Sequence, residues 1–333
     1  MQPRPLRWGL VGLGSLATNG IMPAVARSRF ATVTACATRD PAKAAAFAAR
    51  FGIPRAHATA EALAEDPEVD AVFVMTPNAL HLPPVLAAAR AGKPVLCEKP
   101  LALTTADAEA MVAACDRAGV MLRLGLHLRF ERFLDRVGAL LRAGAIGRVT
   151  ALSIERASPM AERTAWREDP AQGGSILYDV GIHLLDLAPR LLGEPLTSVA
   201  ALATPPLATP ARGADTITLL LGTVGGAQVT LRASREAPFA ASDLTALGTE
   251  GFLRTGPLRW VPEYTLAIRT AAGLAEESAT PCDLYRDELD GFALDLADGG
   301  TRLGTGADGL RLVRVALAVE QSLREGRRAA LPG

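Results

Sequence analysis

The chain has 333 residues, a length that at roughly 100–200 residues per domain implies two domains, and it is 49% hydrophobic, enough to bury sizeable cores. Lys+Arg and Asp+Glu balance at 35 each, which leaves no basic excess to draw it onto a nucleic acid. No apolar run approaches the roughly 18 residues of a membrane span, no secretory signal opens the chain, and Cys36, Cys97, Cys115 and Cys282 lack metal-type or CxxC spacing. These features predict reduced thiols in a cytoplasmic protein with neither nucleic acid nor membrane as partner.

In chain order, the first third alternates short apolar runs with Ala-rich stretches, as stacked βαβ units do. Strands are predicted over Arg7 to Val11, Thr32 to Ala37, Ala71 to Met75, Pro94 to Cys97 and Val120 to Leu124. Helices are predicted over Ile21 to Ser28, Pro41 to Phe51, Leu82 to Ala91 and Ala106 to Ala118. Beyond a helix near Phe130 to Ala143 the pattern changes to strands joined by turns: Val149 to Arg156, Asp215 to Leu221, Ala227 to Ala233 and Tyr264 to Thr270. Thr223 to Gly226 is a hairpin turn, Pro205 to Pro210 a surface loop, and Asp308 to Arg324 a closing helix. The expected architecture is α/β: a Rossmann domain over 1–126, then an α+β domain over 127–333 with a mostly antiparallel open sheet.

Gly12-Leu13-Gly14-Ser15-Leu16-Ala17 follows the first strand and fits GxGxxA. Gly12 permits the tight turn, Gly14 lets backbone approach a pyrophosphate, Ala17 allows close helix–strand packing, and the helix N-terminus faces the phosphate charge. The second strand ends Ala37-Thr38-Arg39-Asp40. Thr38 stands where an acid would bind a ribose 2′-hydroxyl, and Arg39 suits a 2′-phosphate, which favours NADP with NAD as the alternative. The rival for this segment is a solvated Arg39 with Asp40 capping the next helix.

Thr76-Pro77-Asn78 with His81, and Glu98-Lys99-Pro100, end two strands of the parallel sheet, where ligands of such sheets sit. Gly173-Gly174-Ser175-Ile176-Leu177-Tyr178-Asp179-Val180-Gly181-Ile182-His183 comes later. If 176–192 is helical, Ile176, Val180, Leu184, Leu187 and Leu191 form an apolar stripe about 80° wide. Asp179, His183, Asp186 and Arg190 lie beside it, and Pro189 should kink or shorten the helix. Asp179 either works with His183 in a cleft or merely orients a partly buried imidazole. A metal site built on Asp179, His183 and Asp186 lacks the usual ligand set, so no metal is expected.

In this order, with Gly144-Ala145-Ile146-Gly147 and Trp166-Arg167 between them, these motifs resemble the glucose–fructose oxidoreductase/inositol dehydrogenase family over residues 7 to 193. The resemblance implies an NAD(P)-dependent dehydrogenase or reductase acting on a secondary alcohol or carbonyl of a sugar or cyclic polyol. It implies that Lys99 hydrogen-bonds the reacting oxygen, His183 is the acid/base and Asp179 orients it or holds a substrate hydroxyl. Gly12, Gly14, Ser15, Leu16, Ala17, Thr38, Arg39, Thr76, Pro77, Asn78, His81, Glu98, Lys99 and Pro100 would bind the cofactor. His127, Arg129, Trp166 and Arg167 are possible substrate contacts, and His57 reads as a surface histidine. Two rivals stand beside this: reduction of a non-sugar carbonyl or an imine, and a non-catalytic NADP-binding regulator, which would need only the glycine turn. The open face of the second sheet needs cover, which predicts a homodimer or homotetramer.

Overall fold

The computed structural model describes residues 4–159, 165–204, 215–237, 240–258 and 261–332; the predicted loop Pro205 to Pro210 lies outside them. In chain order the first elements are β1 (Leu6–Val11), a wide turn Leu16–Ile21 running into α1 (Met22–Val25), β2 (Ala31–Ala37), α2 (Pro41–Phe51), β3 (Arg55–His57), α3 (Ala60–Ala64), β4 (Ala71–Val74), α4 (Leu82–Arg90), β5 (Val95–Glu98), α5 (Thr105–Ala118) and β6 (Leu122–Gly125). There follow α6 (Arg132–Arg142), β7 (Val149–Ala157), α7 (Ala165–Glu168), a second wide turn Leu177–Gly181 continuing as α8 (Ile182–Leu192), and β8 (Leu196–Thr204), β9 (Thr216–Thr223), β10 (Gln228–Ser234), β11 (Ala241–Gly248), β12 (Gly251–Thr255), β13 (Tyr264–Thr270) and β14 (Gly273–Ala279). Last come α9 (Leu284–Asp298), β15 (Gly304–Thr305), α10 (Gly306–Glu325) and β16 (Ala329–Ala330).

The first sheet runs β15-β6-β5-β4-β1-β2-β3, parallel except for the edge strand β15. The order reverses beside β1, which puts the β1 turn at the switch point where such sheets bind ligands. All four residues of β4 and of β5 are buried, as strands covered on both faces must be. The second sheet runs β14-β13-β12-β11-β7-β10-β9-β8-β16; only the β7–β10 pair is parallel.

The chain forms two units, Met1–Phe130 with Asp283–Val313, and Glu131–Cys282 with Arg314–Gly333. The sequence pattern puts everything past residue 126 in the second domain. Packing instead returns α9 to the first unit, because Leu289, Phe292 and Ala293 share a core with Trp8, Leu10 and Phe73, and the Phe292 ring lies 4.8 Å from Trp8. The helix expected from Ile21 starts earlier, at the wide turn from Leu16, and ends at Val25. Pro189 does not end α8; the helix runs on to Leu192.

Candidate active site

The β1 turn is built around the absence of side chains. Gly12 has φ +97, its N–H donates to the Ala37 carbonyl at 3.1 Å, and a Cβ there would lie 2.5 Å from the Met75 carbonyl oxygen. Any other residue would be both strained and in collision. A Cβ on Gly14 would meet nothing within 4 Å, so the space above it is an open cradle. The Thr18 N–H donates to the Gly14 carbonyl at 3.1 Å, which starts the helix there and leaves the preceding N–H groups at its positive end. Ser15 accepts from Asn19 at 3.0 Å, Leu16 is half-buried and Ala17 is buried under the turn. This arrangement fits a dinucleotide pyrophosphate.

At the end of β2, Asp40 caps α2, accepting from the N–H groups of Ala42 and Lys43 at 3.0 and 3.2 Å. Thr38 is half-buried and Arg39 exposed. The cap belongs to Asp40, so the Arg39 guanidinium is left facing solvent.

The ends of β4 and β5 are tied together by His81. The ring is 1% exposed; Nδ1 lies 2.9 Å from the Pro100 carbonyl oxygen and Nε2 lies 3.0 Å from that of Thr76. Burial holds its pKa below the ordinary imidazole value. Thr76 donates its hydroxyl to the Leu80 carbonyl at 2.9 Å, and Asn78 is buried beside half-buried Pro77. Neutral, the ring has one N–H to donate to one of these carbonyls and packs against the other, so it sits as a brace between the two strand ends, a position its place in the sequence alone did not reveal. Glu98 is buried and accepts the Lys99 backbone N–H at 3.2 Å; Lys99 is half-buried and joined to Pro100 by a cis peptide bond.

In the second unit the glycine-rich segment packs backbone against backbone. A Cβ on Gly174 would lie 2.6 Å from the Arg167 carbonyl, and one on Gly181 would lie 3.1 Å from Ile217. The wide turn Leu177–Gly181 adds a residue to the helical period, and the expected apolar stripe is buried at Ile176, Leu184, Leu187 and Leu191 while His183 and Asp186 of the polar stripe beside it are buried too. Residues 182–188 are buried all round, including Asp186 and His183, the latter 5% exposed. Asp179 is half-buried in that turn, and the Tyr178 hydroxyl donates to Glu320 at 2.9 Å. Asp186 and Arg190 approach to 3.9 Å, with Arg190 also 3.3 Å from Asp135.

The other candidates are engaged elsewhere. The His127 ring stacks on Tyr285 at 5.0 Å and Arg129 pairs with Asp308 at 3.2 Å. Arg167 stacks over Trp166 at 4.5 Å while its carbonyl accepts from Arg235, which forms a buried ion pair with Asp215. His57, expected as a surface histidine, is partly buried 2.9 Å from Asp66.

The first unit is thus a dinucleotide-binding domain with its ligand turn intact. Two family models cover the chain: "Oxidoreductase family, NAD-binding Rossmann fold" over residues 6–126 and "GFO/IDH/MocA C-terminal domain" over residues 134–254. The 1,5-anhydro-D-fructose reductase of Ensifer adhaerens is 31% identical, with 98% of each chain covered. The NADP(+)-dependent D-xylose 1-dehydrogenase 2 of Haloferax volcanii is also 31% identical, over 96% of this chain and 98% of its own. The crystal structure of aldose-aldose oxidoreductase from Caulobacter crescentus, in complex with glycerol, matches with a TM-score of 0.88 at 30% identity, covering 98% of this chain and 100% of that one. The chain belongs to the GFO/IDH/MocA oxidoreductase family and is an NAD(P)-dependent oxidoreductase.

Proposed function

We propose that the protein is an NADP-linked dehydrogenase or reductase of a sugar or cyclic polyol, working at a CH–OH carbon and its carbonyl. The observation that carries this is the presence in one chain of the open Gly14 cradle, Lys99 just after β5, and half-buried Asp179 four residues before buried His183 on one helical segment. A regulator that only sensed the nucleotide would need the first of these alone. When bound, nicotinamide accepts or returns the hydride. His183 takes the hydroxyl proton as the carbonyl forms and returns it in the reverse direction, work suited to an imidazole. The Lys99 ammonium stabilises negative charge developing on the same oxygen. Asp179 orients His183 or holds a neighbouring substrate hydroxyl. Thr38 in place of the acid that would reject a 2′-phosphate, with Arg39 next to it, supports NADP over NAD, and the sugar substrates named for the relatives support the substrate class.

We propose further that the chain acts in the cytoplasm as a homodimer or homotetramer. Among the described residues no helix is long and apolar enough to cross a membrane. The support for assembly is a row on the exposed face of the second sheet, where the exposed apolar side chains Leu274, Phe252 and Leu247 lie across four strands with Arg269 between the first two.

A panel of aldoses and polyols, followed by NADPH formation and consumption, tests the activity. With the best substrate, His183→Ala should lower kcat by about 10²–10⁴-fold while the protein still folds and binds NADP. Turnover within a few-fold of wild type would remove His183 from the chemistry.

A further inference from the structure

Helix α9 carries an acid in the middle of a core. Glu288 is 0% exposed, and among the described residues neither of its carboxyl oxygens has a hydrogen-bond partner. A buried carboxylate left without donors is costly, so its surroundings must either neutralise it or supply a partner.

Its neighbours on the helix fix which way it faces. Tyr285 stacks on His127 at 5.0 Å, and a Cβ on Gly291 would lie 2.5 Å from the Phe130 ring. Residue 288 lies between these two on the helix surface, so it points at the segment 126–130 that follows β6. Glu98 reaches the same place from β5: it pairs with Gly125 at the end of β6, where a Cβ would lie 3.0 Å from Glu98 Oε1. The other charges around it are occupied. Arg129 is held by Asp308, Asp287 by Arg286, and Asp290 by Ser28 and the Phe30 N–H. His127, the remaining titratable group of that segment, lies against Tyr285. The wide turn Leu16–Ile21, α1 and β2, also packed on α9, contain no charged residue. Burial, and after it the like charge of Glu98, push the Glu288 carboxyl well above the ordinary carboxylate range. A neutral carboxyl has one O–H to donate, and the Glu98 carboxylate, which already accepts the Lys99 N–H, is the acceptor on that side.

We propose that Glu288 is a positioning residue that shares one proton with Glu98, the O–H···O⁻ bond fixing the side chain that holds the Lys99 backbone. Two carboxyl groups that cannot both ionise in one dry site behave in this way. The proposal rests on the reading of Lys99 as the group at the reacting oxygen.

Infrared spectroscopy of the full chain at about pH 6.5, where solvated carboxyl groups are already ionised, reads the proton directly. One protonated-carboxyl band is expected, absent in Glu288→Gln and shifted in Glu98→Gln. No band in the wild type, or a band indifferent to Glu98→Gln, would overturn the sharing. In turnover, Glu288→Met should lower kcat by about tenfold or more with the NADP dissociation constant within a few-fold. Glu288→Gln, whose amide N–H can still donate to Glu98, should recover most of that loss; equal losses in the two variants overturn the positioning role. Thermal unfolding supplies the sign: a carboxyl whose pKa is raised by folding adds stability that is lost as pH rises through the raised value. The wild-type Tm should therefore fall more steeply than that of Glu288→Gln as pH rises from the ordinary carboxylate range upward, and parallel curves throughout count against the shared proton. Wild-type turnover in Lys99→Met with the band intact would overturn the role of Lys99 alone.

Discussion

Gly12 and Gly14 stand two residues apart and are glycine for different reasons, which makes them separable by experiment. Gly12→Ala forces a side chain into positive φ and against the Met75 carbonyl, so it should cost at least about 1–3 kcal/mol and lower Tm. Gly14→Ala meets no protein atom, so its stability should stay within about 0.5 kcal/mol of wild type while NADP binding weakens sharply. Equal Tm losses in the two variants would contradict the cradle. Arg39, exposed beyond β2, should act on the cofactor only through its charge. Arg39→Ala is expected to weaken NADP by roughly tenfold or more, the scale of a charge-assisted hydrogen bond, and NAD far less. Titration with each nucleotide checks it, and matched losses would return the choice to NAD. The Gly12 turn and the Asp40 cap were legible in the sequence because turn chemistry is local. The bracing position of His81 was not legible, since its partners at Thr76 and Pro100 are set by strand pairing rather than by spacing. Trp8 and Glu288 needed the fold as well, because their neighbours come from the far end of the chain.

The βαβ elements follow the hydrophobic period closely, and α8 does not. At Leu177–Gly181 the wide turn takes one extra residue, which shifts the phase of the stripes beyond it, and residues 182–188 are buried on every side because α8 packs on α6, β7 and β10. Helix α9 had its signals in view, Leu289, Phe292 and Ala293 at helical spacing and a positive-φ Gly299 as its stop, but no local cue says which core it joins. Its contribution should be large. Phe292→Ala removes a fully buried ring from the Trp8 cluster and should destabilise by about 3–5 kcal/mol, seen as a drop in the denaturation midpoint. A loss under about 1 kcal/mol would mean that α9 lies loosely on that core.

Across the whole molecule, the second sheet buries one face and exposes the other. On β9, Ile217, Leu219 and Leu221 are buried while Leu220, between them, is exposed. The strand alternation and the open sheet were readable from sequence; the strand order, with β7 and β10 parallel at its centre, was not, because it depends on pairings between distant segments. If assembly uses this face, Leu247→Glu combined with Phe252→Glu, which places two charges side by side, should lower the mass measured by light scattering without loss of cooperative unfolding. An unchanged mass would exclude these positions from the contact.

The passage of the chain between its two units also sets a schedule for its synthesis. A ribosome reading from the N-terminus releases β1 early, yet Trp8 and Phe73 must wait for Phe292 to emerge before their shared core can close. The second unit waits longer still, for β16 to add its edge to β8. Until then the nascent chain carries two unfinished apolar surfaces at once. The protein should accordingly lean on chaperones during translation more than a pair of domains strung end to end, and its refolding yield should fall steeply as concentration rises.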